Sequence, residues 1–183
     1  MLERILFAFF RRALQRALAV RHRQRRTHTL QSARTIGILF DATGDQYDRE
    51  IMEFVRGLEK SGKQVRVLGY FKTKKSPGQH PFDFFYQKET TWTGRPKSEK
   101  AGTFLLEKFD LLICLNPADE RPLEWISTLS PAAMKIGLPT HRPHDYDIQL
   151  EIPAEKGFKY FVDQLHLYVD KIVLTKNEPA RAI

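Results

Sequence analysis

The stretch Arg34–Gly44, RTIGILFDATG, constrains this chain more than any other. Ile36, Ile38, Leu39 and Phe40 make a short β-rich apolar run that stops at the turn residues Asp41, Gly44 and Asp45. A helical pattern follows, which is how the first strand of an α/β sheet reads. The next segment, Tyr47 to Lys60, carries Ile51, Phe54, Val55 and Leu58 as a helical stripe, and Gly62 stands where a helix closes. QVRVLGYF, residues 64–71, then alternates as a second strand, so the β-α-β unit implies a parallel pair. FDLLICL, residues 109–115, is nearly continuously apolar, as a central strand covered on both faces requires. MKIGL (134–138) and DIQLEI (147–152) read as further strands. Helices are expected over 98–108, 122–129 and 156–175, the last with Phe158, Phe161, Val162, Leu165, Tyr168, Val169 and Ile172 inward. The expected fold is α/β: a three-layer, Rossmann-like, mostly parallel sheet preceded by a basic amphipathic helical arm.

The arm stands out by charge. Residues 1–34 hold nine arginines (Arg4, Arg11, Arg12, Arg16, Arg21, Arg23, Arg25, Arg26 and Arg34), no lysine and one acid, Glu3. Their net of +8 equals that of the whole chain, so residues 35–183 are neutral. A basic arm on a neutral body argues for a polyanionic partner. The expected division is an arm over 1–34, a domain over 35–176 and a flexible tail over 177–183.

Within the arm, Leu2, Leu6, Phe9, Phe10, Ala13, Leu14 and Ala17 recur at spacings of three and four, with Arg4, Arg11, Arg12 and Arg16 mostly opposite. The uncharged run Ile5–Phe10 is too short for a secretory signal or a spanning helix. An organellar transit peptide fits the acid-poor, Arg-rich composition. A membrane-surface helix with Leu2, Leu6, Phe9, Phe10 and Leu14 in lipid fits the amphipathicity, and a partly disordered, solvated tail is the bland alternative. The second half, RHRQRR (21–26), has only charge to offer. Arginine in preference to lysine favours planar, bidentate contacts of the kind RNA-binding arms make. Lys72, Lys74 and Lys75, in the loop after the second strand, add a small basic cluster that either is solvated or extends phosphate contacts.

Phe82–Trp92 is dense in aromatics, runs into TWTGRP and reads as an extra strand or an extended excursion. Phe84, Tyr86, Trp92 and Arg95 either offer stacking surfaces for bases or belong to a cluster that seals one end of the sheet. At the C-terminal strand ends, where open parallel sheets bind ligands, stand Asp41, Thr43 and Asn116. Asp41 and Thr43 suit a turn and helix cap at least as well as a ribose or metal. There is no glycine-rich phosphate loop, nucleophile elbow, CxxC or HExxH. His141 and His144 lack a third Cys or His ligand, and although Asp145 and Asp147 beside them could complete a site on paper, any loop would qualify at that spacing. Cys114 sits in an apolar run as a small core residue. Neither a cofactor nor a resident metal nor catalysis is therefore expected.

The segments TIGILFD (35–41), TWTG (91–94), FDLLICLN (109–116) and MKIGLP (134–139) resemble those of a bacterial family of unknown function, with a basic N-terminal segment before a small α/β domain. FDLLICLN followed by KIGL is also similar to the N-terminal half of heptosyltransferase-type glycosyltransferases. The sugar-nucleotide-binding second half of those enzymes has no counterpart here. That resemblance therefore implies a scaffold reused for binding and carries over no catalytic residue. The expected function is that of a cytoplasmic, non-catalytic, ribosome-associated protein, a lineage-specific component or assembly factor, held on ribosomal RNA by its arginine arm. The competing expectations are an anionic membrane surface as partner, or a small nucleotide- or sugar-nucleotide-binding domain.

Overall fold

A computed structural model describes residues 2–44, 48–140, 144–153 and 156–177 of the chain. Six strands pair in the order β3-β2-β1-β4-β5-β6, and every pair is parallel. They are β1 (Thr35–Asp41), β2 (Gln64–Phe71), β3 (Asp83–Tyr86), β4 (Leu111–Leu115), β5 (Met134–Gly137) and β6 (Ile148–Gln149). The helices are α1 (Leu2–Ala19), α2 (Asp48–Lys60), α3 (Glu99–Leu106), α4 (Arg121–Leu129) and α5 (Phe158–Asn177). This is the doubly wound, Rossmann-like arrangement, with its switch point between β1 and β4.

The period of two along the strands sorts side chains between two cores. From β4, Leu111, Ile113 and Leu115 join Ile36, Ile38 and Phe40 under α2 and α5. Leu112 and Cys114 turn the other way, onto Phe104 of α3 and Leu123 and Ile126 of α4. α2 closes as expected: Gly62, at φ +77°, donates its N–H to Glu59 O, and Lys63 donates to Leu58 O. That is the helix-ending pair of bonds a left-handed glycine permits.

Three expectations are revised, and one left open is decided: of the extra strand or extended excursion expected in the aromatic segment, the strand forms, as the parallel edge strand β3, followed by a 3₁₀ turn over Gln87–Glu89. The last strand shrinks to two residues at the sheet edge. α1 is not an arm projecting from the domain. It lies along α4 in the same direction, with Glu3 at Arg121, α4's first residue, and Arg21 at Leu129, its last. Phe10 and Leu14 are buried there against Trp125 and Leu129, so α1 adds an outer layer on that side of the sheet. The chain after α1 then runs to Ala33 without regular structure, and Leu30 and Ala33 enter the main core. On α5, Phe158, Phe161, Leu165 and Val169 point inward as expected, but Tyr168 is exposed, on the solvent side of the helix. The turn residue Asp45, the helix start at Tyr47 and the inward side chain of Ile172 lie outside the residues so described.

β5 crosses under Tyr146 with no room to spare. A Cβ on Gly137 would stand 2.4 Å from the Tyr146 ring. Gly137→Ala is expected to cost about 1–3 kcal/mol through overpacking, read as a lower denaturant midpoint at unchanged slope.

Candidate nucleic-acid interface

The nine arginines divide into two structural classes. On α1, Arg4, Arg12 and Arg16 are exposed, while Arg11 is half-buried with its guanidinium over the Phe7 ring. Beyond α1 the side chains alternate between fold and solvent. Arg21 donates from Nη1 to Leu129 O at 2.7 Å, a cation on the carbonyl-rich end of α4. Arg23, whose side chain is 11 % exposed, donates from Nε to Ala132 O and grips Asp145 and Asp147. Arg25 also pairs with Asp145 yet keeps 62 % of its side chain exposed. Arg26 is tied through its backbone to Ala133 O with its side chain exposed, and Arg34 donates its backbone N–H to Asp110 with its side chain exposed. Asp110 loses hydration by burial, but the N–H groups of Arg34 and Thr35 and the charge of His28 hold its carboxyl below the usual range.

Beneath this segment sits Lys135, the second residue of β5 and 0 % exposed. Its Nζ donates to Asp145 Oδ2 and Thr128 O, at 2.8 and 2.9 Å. Burial pushes the Lys135 pKa down, and the adjacent Arg23 adds to that, while Asp145 opposes it. For Asp145, burial works upward, but its bond to Lys135 and the charges of Lys135, Arg23 and Arg25 bring its carboxyl below the ordinary value. Three cations therefore share the two carboxylates Asp145 and Asp147. This cluster fastens the chain after α1 to the sheet. The cluster was not legible in residue counts, although a lysine inside an apolar strand is itself a sign that a carboxylate lies near.

The result is a fixed basic surface. Arg4, Arg12 and Arg16 line the outward side of α1, and Arg25, Arg26 and Arg34 continue it towards the N-terminal end of the sheet. Lys72, Lys74 and Lys75 lie beyond the C-terminal end of β2, so the fold separates them from Arg26 and Arg34. Lys72 pairs with Glu120 at 2.7 Å, and Lys74 and Lys75 are exposed. Among the lipid-anchor residues, Phe10 and Leu14 are buried in the fold, and Phe9, still exposed, meets Trp92. No described helix is long and apolar enough to cross a membrane.

At the switch point a cavity of about 480 Å³ opens between Phe40, Asp41, Leu115, Leu138, Glu151 and Phe158. Asp41 accepts the Thr43 N–H at 3.0 Å, and Thr43 Oγ1 accepts the Lys72 N–H at 3.0 Å. Asn116 accepts the Glu120 N–H and donates to Glu120 O. Asp41 thus faces the cavity while bracing its own loop, and Thr43 and Asn116 brace theirs. Among the described residues no group of three or more His, Cys, Asp and Glu is placed to hold a metal. His141 lies outside them, and His144 stacks on Tyr146. Burial raises the Cys114 thiol to about 12, which removes it as a nucleophile at neutral pH. Phe40, Phe71, His80, Phe82 and Phe84 pack together at the β2–β3 edge, a sealing cluster. Tyr86 is half-buried, and Arg95 stands over the Trp125 ring. Trp92 is the exception, at 66 % exposed.

A protein-family model for a family of unknown function matches residues 8–172, a span that includes most of α1 as well as the sheet. No curated protein and no solved structure matches the chain, so the likeness of FDLLICLN and KIGL to heptosyltransferase-type enzymes gains no support from either comparison.

Proposed function

Because the chain belongs to DUF6913, a family of unknown function, its role has to be read from its own surfaces, and we propose that it is a non-catalytic RNA-binding protein. The observation that carries this reading is the fixed basic surface. Six arginines, Arg4, Arg12, Arg16, Arg25, Arg26 and Arg34, stand exposed along one continuous segment, while Arg21 and Arg23 hold that segment in place. Guanidinium groups on a rigid support lose less freedom on meeting phosphates than groups on a loose tail. Ribosomal RNA is the abundant structured polyanion of a cytoplasm, so the finer proposal is a ribosome-associated component or assembly factor.

The test is sedimentation of extract through a sucrose gradient at low and high salt, with a variant in which Arg4, Arg12, Arg16 and Arg26 become Gln. The intact chain is expected to travel with a ribosomal subunit at low salt and to leave it at high salt. If all six exposed arginines meet phosphates, affinity falls roughly 10³-fold between about 50 and 200 mM salt. Each arginine removed flattens the slope of log affinity against log salt by roughly 0.7–0.9. A quadruple variant that sediments like the intact chain would overturn the proposal.

The cavity at the switch point favours a second reading, a small-ligand site. Asp41 and Glu151 line it, and α2 opens with Asp48 and Glu50, which places negative charge where a nucleotide phosphate needs N–H donors. The ligand that suits it is apolar and carries a cationic group, rather than a nucleotide. Thermal stabilisation by hydrophobic amines, absent in Asp41→Asn, is the expected signature.

A further inference from the structure

The TWTG segment is a hydrogen-bonded turn that holds up an exposed tryptophan. Thr91 donates its N–H to Arg95 O at 2.8 Å, and Gly94 donates to Thr91 O at 2.9 Å. Thr91 Oγ1 accepts the Arg95 N–H and meets Thr93 Oγ1, while Thr90 and Pro96 bridge the base of the turn. Gly94 sits at φ +99°, and a Cβ there would stand 2.8 Å from Arg121 Cβ, so the turn is seated directly on Arg121. At its tip Trp92 meets Phe9 of α1 edge to face at 5.6 Å, and Phe9 is itself 53 % exposed. A hydrogen-bonded turn that holds a tryptophan largely in water, beside an exposed phenylalanine of α1, is not explained by core packing.

Beneath the turn lies a mainly polar cavity of about 380 Å³, in the size range of small-molecule sites. Gln87, Thr91, Trp92, Lys72, Glu120 and Arg121 border it, together with Tyr70 and Glu3. Burial, Glu120 and Asp41 raise the Tyr70 hydroxyl to about 12, so it is a neutral donor there. Arg121 Nη2 reaches Glu3 at 3.4 Å, but its Nη1 is buried and has no hydrogen-bond partner among the described residues. A buried guanidinium N–H left unmatched is costly, and an acceptor from a ligand would satisfy it. Charge identifies what kind of acceptor. Lys72 is neutralised by Glu120, and Glu3 and Asp119 stand near Arg121, so the cavity has no positive excess for a phosphate. It offers donors and acceptors side a side with an aromatic face at the rim, which matches a neutral, flat heterocycle.

We propose that this cavity takes one unpaired nucleobase of the bound RNA, with the ring on Trp92 and an acceptor atom of its edge on Arg121 Nη1. The inference rests on the RNA reading and deepens it from phosphate contact to recognition of single-stranded RNA. The geometry makes the two compatible. Glu3 and Phe9 of α1 meet the rim, so a strand running along Arg4, Arg12 and Arg16 passes the cavity mouth. Bases can be read only where they are unpaired, and stacking on an aromatic ring is the usual first contact.

The test uses the full chain, an RNA hairpin with a single-stranded extension, and the same hairpin with a blunt end. Tryptophan emission is the readout, since Trp92 is exposed and Trp125 is 6 % exposed. The extended hairpin is expected to quench emission and to bind about tenfold more tightly than the blunt one, a stacking-sized effect. Trp92→Ala should lose that advantage while binding the blunt hairpin as before, and Trp92→Phe should keep part of it. Arg121→Met should level the affinities among A, C, G and U extensions. Equal binding of both hairpins without quenching would overturn the nucleobase site and leave the RNA proposal standing. Binding of neither hairpin would overturn both. A blue shift of Trp92 emission on phosphatidylserine vesicles, with no response to RNA, would assign the exposed rings to a membrane surface instead.

Discussion

Asp145→Ala is expected to lower stability by about 3–5 kcal/mol, measured as a fall in the denaturant midpoint at unchanged slope. The carboxylate faces Lys135, Arg23 and Arg25, and Lys135 is wholly buried, with Thr128 O as its other hydrogen-bond acceptor among the described residues. Taking away the carboxylate leaves a buried ammonium without its ion-pair partner. Removing the ammonium instead is a different experiment. Lys135→Met leaves Asp145 to Arg23 and Arg25 and replaces a desolvated charge with an apolar chain, so it should cost little or stabilise. The double variant should be less damaged than Asp145→Ala alone, and that non-additivity is the measure of the coupling. The pH dependence has a definite sign. A carboxyl whose folded pKa is depressed adds stability above its unfolded value and loses it as pH falls through the folded one. The deficit of Asp145→Ala should therefore shrink in acid. Lys135 has its folded pKa lowered, so the folded chain sheds that proton first and stability should rise as pH climbs from the folded value towards the unfolded one.

The strands most legible in the sequence are those whose burial is carried by their own side chains. β2 runs over Gln64–Phe71 as its alternation predicts, and the two-sided burial of FDLLICL is realised in β4, whose five residues are all buried. The short edge strands were less legible, because two to four residues carry too little pattern to separate a strand from an extended loop. The candidate site was legible as charge but not as geometry. Arginine counts cannot tell Arg23, locked onto Asp145 and Asp147, from Arg12, which faces solvent. The docking of α1 had one readable sign. In PLEWISTL of α4, Leu123 and Ile126 face the sheet, while Trp125 and Leu129 are also apolar and face away from it. A helix apolar on both sides is covered on both sides, and here the second cover is α1.

A chain beginning at residue 35 is expected not to fold cooperatively, and this decides how the RNA proposal can be tested. Such a truncation removes Phe10 and Leu14 from Trp125 and Leu129, and Leu30 and Ala33 from the main core. Losing a buried Phe costs about 3–5 kcal/mol and a buried Leu about 2–5 kcal/mol, so the set rivals the roughly 5–15 kcal/mol that holds a domain together. It also removes Arg23 and Arg25, leaving Lys135 as the one cation on Asp145 among the described residues and taking both arginines from Asp147. The exposed face of α4 should then bind a hydrophobic dye, and thermal unfolding should lose its sharp transition. If RNA binding vanished in that fragment, the loss would report unfolding rather than missing arginines. Substitution at Arg4, Arg12, Arg16 and Arg26, which contribute side chains to solvent and not to the core, separates charge from fold. A fragment starting at residue 35 that melted as sharply as the whole chain, and at a similar temperature, would sink this account. α1 would then be an accessory laid on a finished domain, and deletion would become the cleaner test of what its arginines bind.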